Sequence, residues 1–336
     1  MNSFFAFKIS FSYFISILFL SILSTYFVTD FLGSKKIKES ENEILAANSC
    51  DPSLKRLNGY DYVKPLLFVD NNCNAAYLNS VIEGVNTVIE KSKKEEDLTS
   101  ASVYLKDFST NEIVSINENE KYKPGSLMKV PELITLLLMN EKNPGFLDKK
   151  LVYDRVVNSD KKPEYLSKSI QLGHSYTVRE LMTYMIEYSD NNATILLNSV
   201  LDVTLFKKVF TDLGLESPDW NSPNYFVTVT DYSKFIRTLY NASYLTINDS
   251  EYAAELLSKC NFKDGILKGL PENTKVAHKF GEAGDAKEKQ LTETAIIYLK
   301  DKPYMITIMT KGKDFTKLAE VIKQISFVTY QNMLSI

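Results

Sequence analysis

The stretch TKVAHKFGEAGDAKEKQLTETAIIYLKDKPYMITIMT, Thr274–Thr310, decides the architecture. Three runs within it, Thr274–Phe280, Thr294–Leu299 and Tyr304–Thr310, are rich in β-branched and aromatic residues and joined by short polar links, the pattern of three strands. Downstream, Asp314–Val328 carries a helical period and closes the chain's folded part. Far upstream, Ala101–Phe108 and Ile113–Ile116 are strand-like and flank Ser-Thr-Asn-Glu, which reads as a hairpin. Ahead of them, Leu78, Val81, Ile82, Val85, Val88 and Ile89 repeat with the spacing of a helix over residues 75–95. The middle is mostly helical: Thr177-Val-Arg-Glu180 predicts a capping box opening one helix, and Asn191–Leu201 and Asp231–Tyr240 are two more. Strands at both ends with helices between predict an α+β fold. One antiparallel sheet, built from both ends of the chain and flanked by helices, accepts an all-helical insert over about residues 142–245.

Composition removes several classes of function. The chain has 336 residues, 44% hydrophobic and 24% charged, an ordinary globular balance. Its 39 Lys and Arg against 42 Asp and Glu leave a net charge of −3, which argues against a nucleic-acid partner. Three cysteines and two histidines (His174 and His278) are too few and scattered for a metal cage, so no metal and no cofactor is expected. Neither a G-x-x-x-x-G-K loop nor a G-x-G-x-x-G turn is present, which counts against nucleotides.

Ile9–Thr29 holds no charged residue, and Phe11–Val28 is long enough to cross a bilayer as a helix. A cleaved signal peptide with Lys8 as its basic end is the alternative; the length of the run and the lack of an A-x-A-like site favour an uncleaved anchor over residues 1–32. Residues 33–58 are polar and read as a tether, leaving 59–336 as the folded domain. Cys50 and Cys73 bracket that junction, either paired or free, whereas Cys260 reads as a small buried apolar residue.

Three short segments carry candidate chemistry. Ser126-Leu-Met-Lys129 opens a run, Val130 to Met139, that is apolar nearly throughout and therefore buried. The i, i+3 spacing puts the Ser126 hydroxyl and Lys129 amine on one helical face, where partial desolvation lowers the lysine's pKa and fits it to accept a proton. Alone, this reads better as a serine cap followed by a solvated lysine. Ser189-Asp190-Asn191 falls in a turn between helices, with Asp190 or Asn191 also suited to cap the next helix. Lys279-Phe280-Gly281 ends a strand, and Gly281 allows close approach to the backbone. His278 reads as a packing residue at that strand end.

In this order and context the three segments resemble the S-x-x-K, S-D-N and K-T-G signature of class A β-lactamases and penicillin-binding serine hydrolases, over about residues 75–335. The resemblance implies that Ser126 attacks an amide or β-lactam carbonyl to form an acyl-enzyme and that Lys129 helps take its proton. It implies that Ser189 passes a proton to the leaving nitrogen, that Asn191 hydrogen-bonds the substrate's side-chain amide, and that Lys279 adds positive charge near Ser189. The oxyanion hole would be the backbone N–H groups of Ser126 and of Glu282, one residue past Gly281.

Two departures stand out. Phe280 replaces the hydroxyl residue that the family offers to a substrate carboxylate. The loop that carries the water-activating glutamate in class A enzymes should lie between Asn191 and Asp231 and looks shortened. Glu216, with Asn221, is the candidate there, Asp219 is a poorer third, and Trp220 packs the loop. Three functions remain: a β-lactam-opening hydrolase, a D-Ala-D-Ala peptidase of cell-wall metabolism, or a surface-anchored binding module on an inactive scaffold. The first two expect a small β-lactam or a peptidoglycan peptide as partner, a monomer, and a domain outside the cell. Lys35, Lys36 and Lys38 after the apolar segment favour the opposite orientation by the positive-inside rule.

Overall fold

The structure is a computed structural model. It describes residues 24, 29, 53–60, 64–70, 78–156, 164–165, 168–219, 224–300 and 302–335. The candidate membrane segment apart from Ser24 and Thr29, together with Cys50, Cys73, Trp220 and Asn221, lies outside the described residues. Among the described residues no helix is long and apolar enough to cross a membrane.

Five strands form the central sheet: β3 (Ser100–Asp107), β4 (Ile113–Ile116), β7 (Val276–Gly284), β8 (Lys289–Ile297) and β9 (Tyr304–Gly312), after a short pair β1 (Ser53–Arg56) and β2 (Leu66–Asp70) and a second pair β5 (Lys150–Val152) and β6 (Ser175–Thr177). Their order is β4-β3-β9-β8-β7, antiparallel throughout, so the two ends of the chain meet at β3–β9. The α+β sheet built from both termini is therefore the observed architecture. β7 forms one edge.

Both faces of the sheet are covered, and side-chain alternation shows how. On β3 and β9, Val103, Leu105, Ile306 and Ile308 point to one core while Tyr104, Met305 and Met309 point to the other. The first core is filled by α1 (Asn79–Lys94), through Val81, Val85, Val88 and Ile89, and α8 (Phe315–Ser335), through Leu318, Val321, Ile322 and Ile325. The second is filled by the helical insert: α2 (Lys129–Lys142), α3 (Val178–Glu187), α4 (Asn191–Asn198), α5 (Val203–Asp212), α6 (Val229–Tyr240) and α7 (Ile247–Ser258). At the start of α3 the predicted capping box is complete, with Thr177 and Glu180 each satisfying the other's backbone N–H.

Four boundaries differ from expectation. Ser53–Arg56, assigned to the tether, pairs with Leu66–Asp70, because Leu67 and Phe68 are buried against the insert and draw their neighbour into a strand. β7 runs on past Phe280 to Gly284, and β8 begins at Lys289 rather than Thr294. The added residues are polar, yet Thr292 and Glu293 are fully buried and bonded, so polarity did not mark them as loop. α8 likewise continues beyond Val328 to Ser335.

His278 sits inside β7 rather than at its end. Its Nδ1 donates to Glu293 Oε1 at 2.8 Å, and Glu293 Oε2 accepts the Ile266 N–H at 2.8 Å. Cys260, buried as expected, offers its carbonyl to His278 Nε2 at 3.3 Å. Burial pulls the imidazole pKa down, but Cys260 and Glu293 outweigh it and raise the value to about 10. Removing one member of a buried ion pair strands the other. His278→Ala is expected to lower unfolding free energy by about 3 kcal/mol, read from urea titration.

Candidate active site

The site begins where α2 is entered. Ser126 lies on a 3-10 turn, Gly125–Met128, and α2 proper starts at Lys129, so the serine precedes the helix rather than opening it. Every residue from Lys129 to Leu137 is buried, which makes α2 the axis of the insert. Pro131 fits in the first turn, where no intrahelical N–H is needed.

The turn is clamped to the sheet edge by two glycines. A Cβ on Gly281 would sit 2.2 Å from the Pro124 carbonyl oxygen and 3.0 Å from the Ser126 nitrogen. A Cβ on Gly125, whose φ is +55°, would sit 2.3 Å from the Glu282 carbonyl oxygen and 2.9 Å from its nitrogen. Close backbone approach is the reason for both residues. It sets the Ser126 and Glu282 backbones side by side. Thr292 Oγ1 donates to the Pro124 carbonyl at 3.2 Å and Tyr232 Oη to the Leu127 carbonyl at 2.8 Å, fixing the turn from both sides.

Ser189 arrives from the junction of α3 and α4 in a left-handed conformation, φ 53°, which a serine adopts only when its surroundings hold it there. Asp190 holds it: its carboxylate caps α4 through the N–H groups of Asn192 and Ala193 and also accepts from the Ser169 hydroxyl and the Ile170 N–H.

The three segments converge. Lys129 Nζ donates to the Ser189 carbonyl at 2.6 Å, to Asn191 Oδ1 at 2.8 Å and to Ser189 Oγ at 3.2 Å. Lys279 Nζ donates to the same Ser189 Oγ at 2.9 Å. With both lone pairs of that hydroxyl engaged by amines, its own proton is the one group left to donate. Burial first, and then the neighbouring Lys279 cation, lower the Lys129 pKa to about 7. Burial also lowers Lys279. Ser126 Oγ makes no hydrogen bond with any described residue, so Lys129 serves Ser189 and Asn191 rather than bonding Ser126 directly.

Ser126, Ser189, Asn191, Phe280 and Glu282 line one cleft of about 390 Å³, together with Tyr165 and Lys289. Phe280 is turned into an aromatic stack, its ring 4.3 Å from Phe262 and edge-on to Tyr165. The Glu282 carboxylate accepts the backbone N–H groups of Glu164 and Tyr165 at 3.1 and 2.9 Å, while burial raises its pKa.

Glu216 is not brought to this cleft. It is exposed, its carbonyl accepts the Tyr225 hydroxyl at 3.1 Å, and it lines neither the cleft nor the cavity beside it, whereas Asp219 lines that second cavity. Residues missed in the sequence are Tyr165, Lys289 and above all Glu132, a carboxylic acid within the apolar run after Ser126, where its letter alone was the signal. Among the described residues no cluster of His, Cys, Asp and Glu could hold a metal ion.

A serine that shares a cleft with a second serine held by two buried lysines, at the edge of an antiparallel sheet, defines a serine hydrolase of the β-lactamase kind. A profile of the beta-lactamase enzyme family matches residues 81–333, and the chain belongs to that family. PBP-A is 16% identical, with a TM-score of 0.63 over 76% of this chain and 97% of its own. A β-lactamase from Chitinophaga pinensis is 18% identical, with a TM-score of 0.64 over 75% of this chain and 99% of its own. The class A β-lactamase of Mycobacterium abscessus is 19% identical, with a TM-score of 0.61 over 75% and 98%. These likenesses establish the fold. No curated protein sequence matches the chain significantly.

Proposed function

We propose that Ser126 is acylated by β-lactams or closely related amides, in the manner of a class A β-lactamase. The observation that carries this reading is Ser189 Oγ held between Lys129 and Lys279 in the cleft that exposes Ser126. Lys129, buried and near neutrality in pKa, takes the Ser126 proton as the ring carbonyl is attacked. The developing oxyanion is met by the N–H groups of Ser126 and Glu282, one such donor being worth about 3 kcal/mol. Ser189 then gives its proton to the departing nitrogen and recovers one from the Lys129 ammonium bonded to it, and Asn191 orients the acyl side chain. Among fold neighbours, a variant of PBP-A forms an acyl-enzyme with penicillin G, which supports the same first step here.

A second reading, a D-Ala-D-Ala peptidase of cell-wall metabolism, is favoured by one observation: the exposed Glu216 lines neither the cleft that holds Ser126 nor the cavity beside it. Both readings accord with a domain outside the cell, held to the membrane by residues 1–32. Mixing the full chain with a chromogenic cephalosporin and following intact mass tests them. Sustained turnover with a transient adduct on Ser126 is the expected result. A stoichiometric adduct without turnover supports the peptidase, and neither adduct nor turnover removes both.

A further inference from the structure

Behind the Ser126 turn lies a second cavity of about 750 Å³, walled by Pro124, Gly125 and Met128 of the turn and by Glu282, Ala283 and Gly284 of β7, the last three shared with the cleft. Glu132 and Asn198 line it. Glu132 is 7% exposed, and its Oε2 has no hydrogen-bond partner; Asn198 Oδ1 is buried and equally without one. Two orphaned acceptors facing one cavity call for a donor, and a water molecule that gives one O–H to each satisfies both.

We propose that Glu132 is the carboxylate that holds and activates the water for hydrolysis of the acyl-enzyme, in place of an acid on the loop after α5. This rests on the reading that Ser126 is acylated. Ser126, Lys129 and Glu132 follow at intervals of three residues along the turn and the first turn of α2, so the acid continues the face that carries the nucleophile and its base. The cavity water attacks the ester carbonyl carbon, and its proton passes to the Glu132 carboxylate. Collapse of the tetrahedral intermediate breaks the bond to Ser126 Oγ, and the Glu132 proton reaches that oxygen through the neutral Lys129 amine. Glu132 and Lys129 are thereby restored to carboxylate and amine, and the sum is ester plus water giving acid plus serine. Burial pushes the Glu132 pKa up to about 7, against the opposing pull of Lys129 and of Asn198, which poises it to accept and return a proton. The other ionisable groups around it are Lys129 on α2, Lys123 before the turn, Asp219 and Tyr225 between α5 and α6, and Glu282 on β7.

The test compares wild type with Glu132→Gln and Glu132→Asp, separating adduct formation from release by stopped flow with a chromogenic cephalosporin and by intact mass. For Glu132→Gln, formation is expected to stay within about threefold and release to slow about 100-fold or more, so that the adduct accumulates, with partial recovery in Glu132→Asp. Wild-type release is expected to rise with pH through about 7, as the carboxylate forms, and Glu132→Gln to lose that rise. The pH limb needs no variant, so its absence in the wild type overturns the proposal even where a variant fails to fold. Release unchanged in Glu132→Gln overturns it, as does an equal fall in formation and release, which would mean that the acid acts through Lys129. A wild-type adduct that never clears also overturns it while leaving acylation of Ser126 standing; no adduct at all overturns both.

Discussion

Ser126→Ala is expected to abolish the covalent adduct and to cut turnover by a factor on the order of 10⁴ to 10⁶, with the melting curve unchanged. The size follows from what is lost. Acylation splits one difficult hydrolysis into two easier steps, and a site without the nucleophile keeps only its oxyanion donors and its grip on the substrate. The lack of a stability cost follows from the position. Ser126 Oγ has no hydrogen-bond partner among the described residues and faces the cleft, so the change orphans no buried group and opens no void. The turn itself is held by backbone contacts at Gly125 and Gly281 and by Tyr232, none of which depends on the serine side chain. Intact mass after incubation with a cephalosporin reads the adduct directly, and residual turnover above one part in about 10³ would place the nucleophile elsewhere.

What the sequence made legible was whatever depends on local pattern. The alternation along Tyr304–Thr310, the capping box at Thr177 and Glu180, and the order of the three motifs each report on a few neighbouring residues, and each reappears in the structure. What it hid depends on distant partners. Thr292 and Glu293 look like loop until Gly281, Pro124 and Ile266 supply their hydrogen bonds. Phe280 reads as a lost hydroxyl, and only the stack with Phe262 and Tyr165 shows that the ring belongs to a packed aromatic group bordering the cleft. Glu216 was singled out by spacing from Asn221, but spacing along a loop does not fix which way the loop turns, and the side chain is exposed. Glu132 escapes the sequence for the opposite reason: in a run apolar nearly throughout, the pattern gives its one carboxyl no weight, although a buried carboxyl there is costly enough to demand a purpose.

Lys129→Met is expected to slow acylation about 10²- to 10⁴-fold and to remove its dependence on pH near neutrality. A proton acceptor must be unprotonated. Burial and the adjacent Lys279 cation bring the Lys129 pKa to about 7, so the wild-type acylation rate rises with pH through that value and levels off above it. Methionine fills similar volume and has no proton to exchange, so the limb disappears. Stability provides an independent reading with its own sign. Unfolded, the lysine binds its proton up to its ordinary value of 10.5; folded, it releases the proton above about 7. Between those values the unfolded chain holds the extra proton, so the fold gains about 1.4 kcal/mol per pH unit from this group as pH rises and lacks that gain below about 7. The methionine variant has no such gain and also leaves the Ser189 carbonyl and Asn191 Oδ1 without their donor, a cost of about 1–3 kcal/mol at any pH. Loss of the cation also raises Glu132 further, which favours the variant on the acid side. The variant should therefore be clearly less stable than wild type at pH 9 and should close or reverse that gap by pH 6, as urea titrations at the two pH values would show. A gap that is the same at both pH values would mean that Lys129 is not desolvated in the fold, and the proton acceptor for Ser126 would have to be another group.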